Sequence, residues 1–326
     1  MRNLTLCVAL VLLPIVPSAK AAVYKSASGP HAVEVRLDEW SDTGRQGRLV
    51  PWKLYWPRGD IGAIPVVVWS HGAGGSRDGA EYLGRHLASH GYAAFHIQHA
   101  GSDTQVLREH GVEGMLQEMR DPQVSIARFG DVAFAVTQIG KMAKGELAGR
   151  IDPGRIGISG HSFGAITTLV AAGQSMPLVG RRFAVPAFRG AFAMSPSKPR
   201  AGDVATVFAE MSMPIFHLTG TADASPLGDQ AVETRSFPFE TIEGPDQWLL
   251  VLEDGIHMTF SGRQIRQSGP ARDKAPRHHE LVRMAAVAFW DMVLKEDPQA
   301  TAWLRNGGFE QELTAADGTL RFKPGG

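Results

Sequence analysis

The sequence predicts an α/β fold: a mostly parallel central sheet with helices on both faces and an antiparallel edge at its N-terminal end. Three observations carry this. Continuously apolar runs such as Pro65-Val66-Val67-Val68-Trp69 read as strands buried on both faces. Helical patterns alternate with those runs, as a parallel sheet with crossover helices requires. The first two strand patterns are instead joined by a short turn, which only an antiparallel pair permits.

Residues 32–37 alternate apolar with polar, and residues 49–56 are rich in β-formers and closed by Pro57, so the Asp42-Thr43-Gly44 turn makes them a hairpin-like edge. The buried strand at 65–69 runs straight into a glycine-rich loop. Leu83 and Leu87 share one face of a short helix ended by Gly91, and residues 92–97 form the next buried strand. After Pro122 a longer amphipathic helix shows Phe129, Val132, Val136, Ile139 and Ala143 spaced three and four apart. Residues 155–158 give the third central strand, with further strands at 190–194, 214–219 and 248–252. A last strong helix covers 278–295, and the tail at 307–322 reads as a hairpin around Asp317-Gly318. The segments near 100–121, 174–187 and 261–277 are longer than ordinary connections and leave strand C-termini, where open α/β sheets build their binding sites.

Residues 1–21 read as a signal peptide: Arg2 precedes an apolar run from Leu4 to Val16, and Ala19-Lys20-Ala21 fits the small-x-small cleavage rule. The run is too short to span a bilayer comfortably, so residues 22–326 are expected as one exported domain, periplasmic or secreted, with no membrane span and acting as a monomer. That length is ordinary for a single α/β domain. Cys7 is the only cysteine and leaves with the leader, which removes disulfide and thiol chemistry. Lys plus Arg equal Asp plus Glu at 33 each, and losing Arg2 and Lys20 leaves a slight acidic excess, so nothing points to nucleic acid as a partner.

Directly after the strand at 155–158 comes Gly160-His161-Ser162-Phe163-Gly164, followed by a helical run. G-x-S-x-G in the context of strand, sharp turn and helix is a nucleophile elbow: the turn holds the serine in a strained conformation, and helix and strand approach too closely for side chains at the glycines. A serine hydroxyl needs an adjacent base oriented by a carboxylate, found downstream in the order Ser, Asp or Glu, His. Asp223 in Gly220-Thr221-Ala222-Asp223, just past a strand, is the best acid, with Asp203 and Asp229 as rivals. His257 is the best base, on a loop returning from the last predicted strand. The loop Ser70-His71-Gly72-Ala73-Gly74-Gly75 supplies a glycine-rich turn where oxyanion donors belong, so the amides of Ala73 and Phe163 are assigned that role. His71 is expected to brace the loop by hydrogen bonding, and Gly72 and His161 to lie against the substrate. Adjacent His278 and His279 point about 100° apart on a helix, and no metal-ligand constellation or cofactor motif is found, so no cofactor is expected.

With these motifs in view, residues 60–295 resemble the α/β-hydrolase superfamily, and most its dienelactone-hydrolase-like branch, which is similar to platelet-activating-factor acetylhydrolases and cutinase-type polyester hydrolases. The matching segments are Trp69-Ser70-His71-Gly72-Ala73-Gly74-Gly75-Ser76-Arg77, Ala88-Ser89-His90-Gly91-Tyr92, the elbow around Ser162, and Gly220-Thr221-Ala222-Asp223. The resemblance implies an α/β-hydrolase fold and a serine hydrolase. True dienelactone hydrolases carry cysteine at the elbow, where this chain has Ser162.

The expected reaction is hydrolysis of carboxylic esters of short-chain or aromatic acyl groups through an acyl-enzyme, the partner being a small-molecule or polymeric ester. Lipase, polyester hydrolase and peptidase share the triad, and a noncatalytic binding protein on the same scaffold is the rival from another class. Val106, Leu107, Met115, Leu116 and Met119 are candidates for an acyl pocket or for packing beneath their loop. Arg263, Arg266, Arg272, Lys274 and Arg277 read as a solvated charged face rather than an acid-binding one.

Overall fold

The computed structural model describes Tyr24 and residues 26–199, 201–226, 230–262 and 269–326. The expected leader, Asp229, Arg263 and Arg266 lie outside the described residues. Nine strands form one sheet among the described residues, β1 (Val33–Asp42), β2 (Arg48–Pro57), β3 (Ile64–Ser70), β4 (Ala93–Ile97), β5 (Ile151–His161), β6 (Phe188–Met194), β7 (Ile215–Ala222), β8 (Gln247–Ile256) and β9 (Gly318–Lys323). Their order is β1-β2-β4-β3-β5-β6-β7-β8-β9, with β4 through β8 mutually parallel and antiparallel strands at both ends. The helices are α1 (Glu81–Ser89), α2 (Thr104–Glu118), α3 (Pro122–Met142), α4 (Phe163–Ala171), α5 (Val204–Val207), α6 (Phe237–Thr241), α7 (Pro270–Leu294) and α8 (Pro298–Arg305). Together they make a general α/β-hydrolase-like fold.

Every residue of β3 is buried, as its unbroken apolar run requires. Its side chains divide by parity between two cores. Val66 and Val68 pack with Val132, Ala135, Ala165 and Leu169 of α3 and α4 on one face. Val67 and Trp69 pack with Leu83, Leu87, Phe289 and Trp290 of α1 and α7 on the other. The chain crosses β3 between β4 and β5, so the loops leaving β3 and β5 diverge at a topological switch point, where such sheets open a crevice.

Three expectations change. Residues 100–121 are mostly the helix α2, whose start is capped by the Asp103 carboxylate accepting from the Gln105 amide at 3.1 Å, and which breaks at Gly111, where φ is +65°. The break leaves no single apolar stripe to read in the sequence. Helix α7 begins at Pro270, earlier than residue 278, because a proline suits the first helical turn, where its missing amide costs nothing. The tail is no hairpin on itself: β9 pairs with β8, Leu252 opposite Gly318 and Gln247 opposite Lys323. An isolated two-stranded hairpin is marginal in water, whereas pairing with β8 covers an open sheet edge. Among the described residues no helix is long and apolar enough to cross a membrane.

Candidate active site

Ser162 stands between β5 and α4 with φ +58° and ψ −117°, a conformation in which a non-glycine residue is held only by its surroundings. Those surroundings are specific. A Cβ on Gly164 would fall 1.9 Å from the Ser70 carbonyl oxygen, and one on Gly160 would fall 2.3 Å from the Gly164 carbonyl oxygen. Neither position has room for a side chain, so the elbow glycines follow from backbone packing of helix on strand.

His257 opens a short 3₁₀ turn directly after β8, and Asp223 follows β7 by one residue. The parallel pairing of β7 with β8 therefore brings the two side chains together. The structure sets His257 Nε2 2.8 Å from Ser162 Oγ and His257 Nδ1 2.8 Å from Asp223 Oδ1. With Nδ1–H donating to Asp223, Nε2 is left as the acceptor of the serine proton. Asp223 is fully buried, and its Oδ2 accepts from Thr219 Oγ1 at 2.8 Å.

A residue with no signal in the sequence completes this end of the site. Arg235, 1 % exposed, donates through Nε to the Asp223 carbonyl oxygen at 3.0 Å and through Nη1 to Ser197 Oγ at 2.9 Å. Its Nη2 lies 3.2 Å from His257 Nδ1, a contact between two N–H groups in the tautomer that binds Asp223. Twelve residues separate Arg235 from the acid in sequence, and no local pattern marks it.

The Ala73 and Phe163 amides flank the elbow, and among the described residues neither donates to a protein acceptor. Gly72 runs so close that a Cβ there would be 3.2 Å from Ser162 Cβ. His161 donates through Nε2 to the His257 carbonyl oxygen at 2.8 Å, which fixes the segment carrying His257. His71 donates through Nδ1 to the Gly72 carbonyl oxygen at 2.7 Å and accepts the His99 amide on Nε2 at 3.0 Å, the bracing expected of it.

Ser162, His161, His257, Gly72 and Ala73 line one cavity of about 320 Å³, walled by the apolar side chains Leu107, Val112, Met115, Pro226 and Met258. Leu107 and Met115 were among the candidates; Val112, on the far side of the Gly111 break, was not. Met119 lines a second cavity of about 230 Å³ with Phe163 and Ile166, and Val106 and Leu116 line neither. Lys274 pairs with Asp254 at 2.8 Å and Arg277 with Asp317 at 3.1 Å, so these two cations are engaged on the surface. Asp203 is exposed, its carbonyl accepting from the first turn of α5.

A second Ser-His-Asp relay lies beneath the glycine-rich loop. Ser70 Oγ is 2.9 Å from His99 Nε2, and His99 Nδ1 is 3.1 Å from Asp131 Oδ2, all three residues fully buried. Burial alone would raise the Asp131 carboxyl, but hydrogen bonds from Arg48 and His99 outweigh it and hold the group below the usual carboxylate range. Burial, aided by the Arg128 charge, pushes His99 down to about 4. The chain thus carries the Ser-His-Asp arrangement of a serine hydrolase. Comparison with protein-family models and with curated proteins finds no match for this chain.

Proposed function

We propose that the protein hydrolyses carboxylic esters through an acyl-enzyme on Ser162. The observation that carries this is the unbroken hydrogen-bond chain from Ser162 Oγ through His257 to Asp223, opening on an apolar cavity beside two unengaged amides. His257 Nε2 takes the serine proton as Oγ attacks the ester carbonyl carbon, and Asp223 stabilises the imidazolium. The carbonyl oxygen, now negative, receives the Ala73 and Phe163 amides. Collapse breaks the bond to the alcohol, which leaves with the proton returned by His257. Water then repeats the sequence on the acyl-enzyme and frees the acid.

A cavity walled by Leu107, Val112, Met115 and Met258 favours an apolar acyl group of modest size, short-chain or aromatic. The dienelactone-hydrolase-like branch is the nearest resemblance of the motifs, and polyester, lipid or peptide substrates use the same chemistry. We further propose export of residues 22–326 after removal of a leader, which N-terminal sequencing of the protein recovered from outside the cytoplasm would test.

Replacing Ser162 with Ala should lower turnover of p-nitrophenyl acetate by about 10⁴ to 10⁶. A fluorophosphonate should label Ser162 in the wild type, located by mass spectrometry. A second reading takes Ser70 as nucleophile of its own relay, favoured by its hydrogen-bond geometry. Under it, label would appear on Ser70, and Ser70→Ala rather than Ser162→Ala would silence the enzyme.

A further inference from the structure

Arg128, on α3, is fully buried, and among the described residues its guanidinium forms no carboxylate ion pair. Burying a cation that way costs several kcal/mol unless hydrogen bonds compensate. Here they do, and their partners are informative. Nη2 donates to Ser70 Oγ at 3.0 Å and to the His71 carbonyl oxygen, both on the segment that continues into Gly72 and Ala73. Nη1 donates to Ser102 Oγ at 2.9 Å, and the Ser102 carbonyl accepts the Gly74 amide at 2.9 Å. Nε donates to Thr167 Oγ1 at 2.8 Å, which itself donates to the Phe163 carbonyl oxygen at 2.9 Å. The guanidinium also lies 4.5 Å from the centroid of the Phe163 ring.

One planar group therefore grips the loop carrying the Ala73 amide and the helix carrying the Phe163 amide. We propose that Arg128 is a positioning residue that sets the distance and aim of the two oxyanion donors, with the Ser70–His99–Asp131 relay as the frame that orients it. This rests on Ser162 being the nucleophile. The fork geometry explains why arginine stands where an aliphatic side chain would fill the core without a desolvation penalty: N–H groups in one plane reach four oxygens on three segments. The same frame explains a serine, histidine and aspartate buried together away from the cavity. Ser70 donates to His99 and accepts from Arg128, which fixes its oxygen as an anchor.

The test uses Arg128→Met and Arg128→Lys in the full protein, with matched oxoester and thionoester substrates. Sulfur is larger and a poorer acceptor than oxygen, so a well-set pair of amides discriminates strongly between the two. Arg128→Met should lower kcat on the oxoester about 100-fold with KM within a few-fold, as loss of a donor does, and should shrink the oxo-to-thiono preference by about 10-fold or more. Arg128→Lys should recover little, since one ammonium cannot span the partners. Guanidinium ion at a few millimolar should restore part of kcat to Arg128→Ala. Unchanged oxo-to-thiono preference in a folded Arg128→Met protein would overturn the proposal, even if kcat fell. Should Arg128→Met fail to fold, Thr167→Val decides: it cuts the link to α4 at nearly constant volume, and the same preference must shrink. Fluorophosphonate labelling of the wild type separates the two layers. Label absent from Ser162 removes the underlying mechanism together with this inference, whereas label on Ser162 with an unaltered preference in the variants removes this inference alone.

Discussion

Asp223→Asn should leave His257 facing an unopposed cation, because Arg235 stays behind. In the wild type the imidazolium that forms on His257 meets a carboxylate oxygen at 2.8 Å and a guanidinium nitrogen at 3.2 Å. The charge centres lie roughly 4 Å apart in each case, so each contribution is about 4 kcal/mol at an effective dielectric near 20, opposite in sign. Asparagine can still accept the Nδ1 hydrogen bond through its carbonyl oxygen, but the attraction goes and the repulsion is unopposed. Tenfold in rate is about 1.4 kcal/mol, so losing an attraction of about 4 kcal/mol corresponds to a kcat loss of about 10³. Adding Arg235→Gln to the Asp223→Asn protein should then recover about 10- to 100-fold, although Arg235→Gln alone reduces activity by loosening the Asp223 backbone. The assay is kcat on p-nitrophenyl acetate for all four members of the cycle, with circular dichroism and Tm confirming the fold. An additive cycle would refute the electrostatic argument. A single Asp223→Asn protein within a few-fold of wild type would refute the acid itself.

Gly164→Ala should fail to accumulate or lose upwards of about 3 kcal/mol in urea unfolding, because the new methyl meets the Ser70 carbonyl and neither backbone can retreat. Val112→Trp, on an exposed wall of the cavity, should lower kcat/KM for p-nitrophenyl benzoate at least about 10-fold relative to the acetate, and an unchanged ratio would take the acyl group out of this cavity. Acid should unfold the protein early. Burial holds His96 and His217 down to about 3 and His99 to about 4, so all three are neutral in the fold while the unfolded chain takes up protons near pH 6.5. The stability these neutral rings allow is complete above pH 6.5 and is lost as pH falls towards 4 to 3, at about 2 kcal/mol per ring by pH 5, together comparable with the whole stability of a domain. A urea midpoint flat between about pH 7.5 and pH 5 would contradict this.

Signals in the sequence sort by range. The strands were legible where burial on both faces leaves an unbroken apolar run, as in β3, and their ends were short by several residues where polar and turn-forming residues interrupt the run, as at Asp152 and Gly154 in β5. Ser162 was legible because one local constraint, close backbone approach, writes glycine at fixed offsets on both sides. The aspartate and histidine were legible through chain order and strand ends, since both emerge just past a parallel strand. What stayed hidden is long-range. Arg235 reaches the site from a turn 12 residues from Asp223 and Arg128 from α3, 34 residues from Ser162, and their roles depend on which oxygens the fold delivers to them. Helix α2 stayed hidden for another reason: it breaks at Gly111, so no single apolar stripe runs along it.

The two Ser-His-Asp relays sit on neighbouring parallel strands, with Ser70 paired in register with Gly160, two residues before Ser162. Their hydrogen-bond distances are almost the same, so distance is not what separates a nucleophile from an anchor. Three other quantities are. Ser70 closes a regular strand and is wholly enclosed, whereas Ser162 stands past the strand at positive φ and faces the cavity. Ser70 gives a lone pair to Arg128, which draws electron density from the oxygen that would have to attack. The third difference lies in the histidine: burial, aided by the Arg128 charge, holds His99 down to about 4, which weakens it as a base near neutral pH. On the proposed reading Ser162 is the serine that reacts, because it faces the cavity and its histidine is oriented by the buried Asp223, which accepts from both Thr219 and His257.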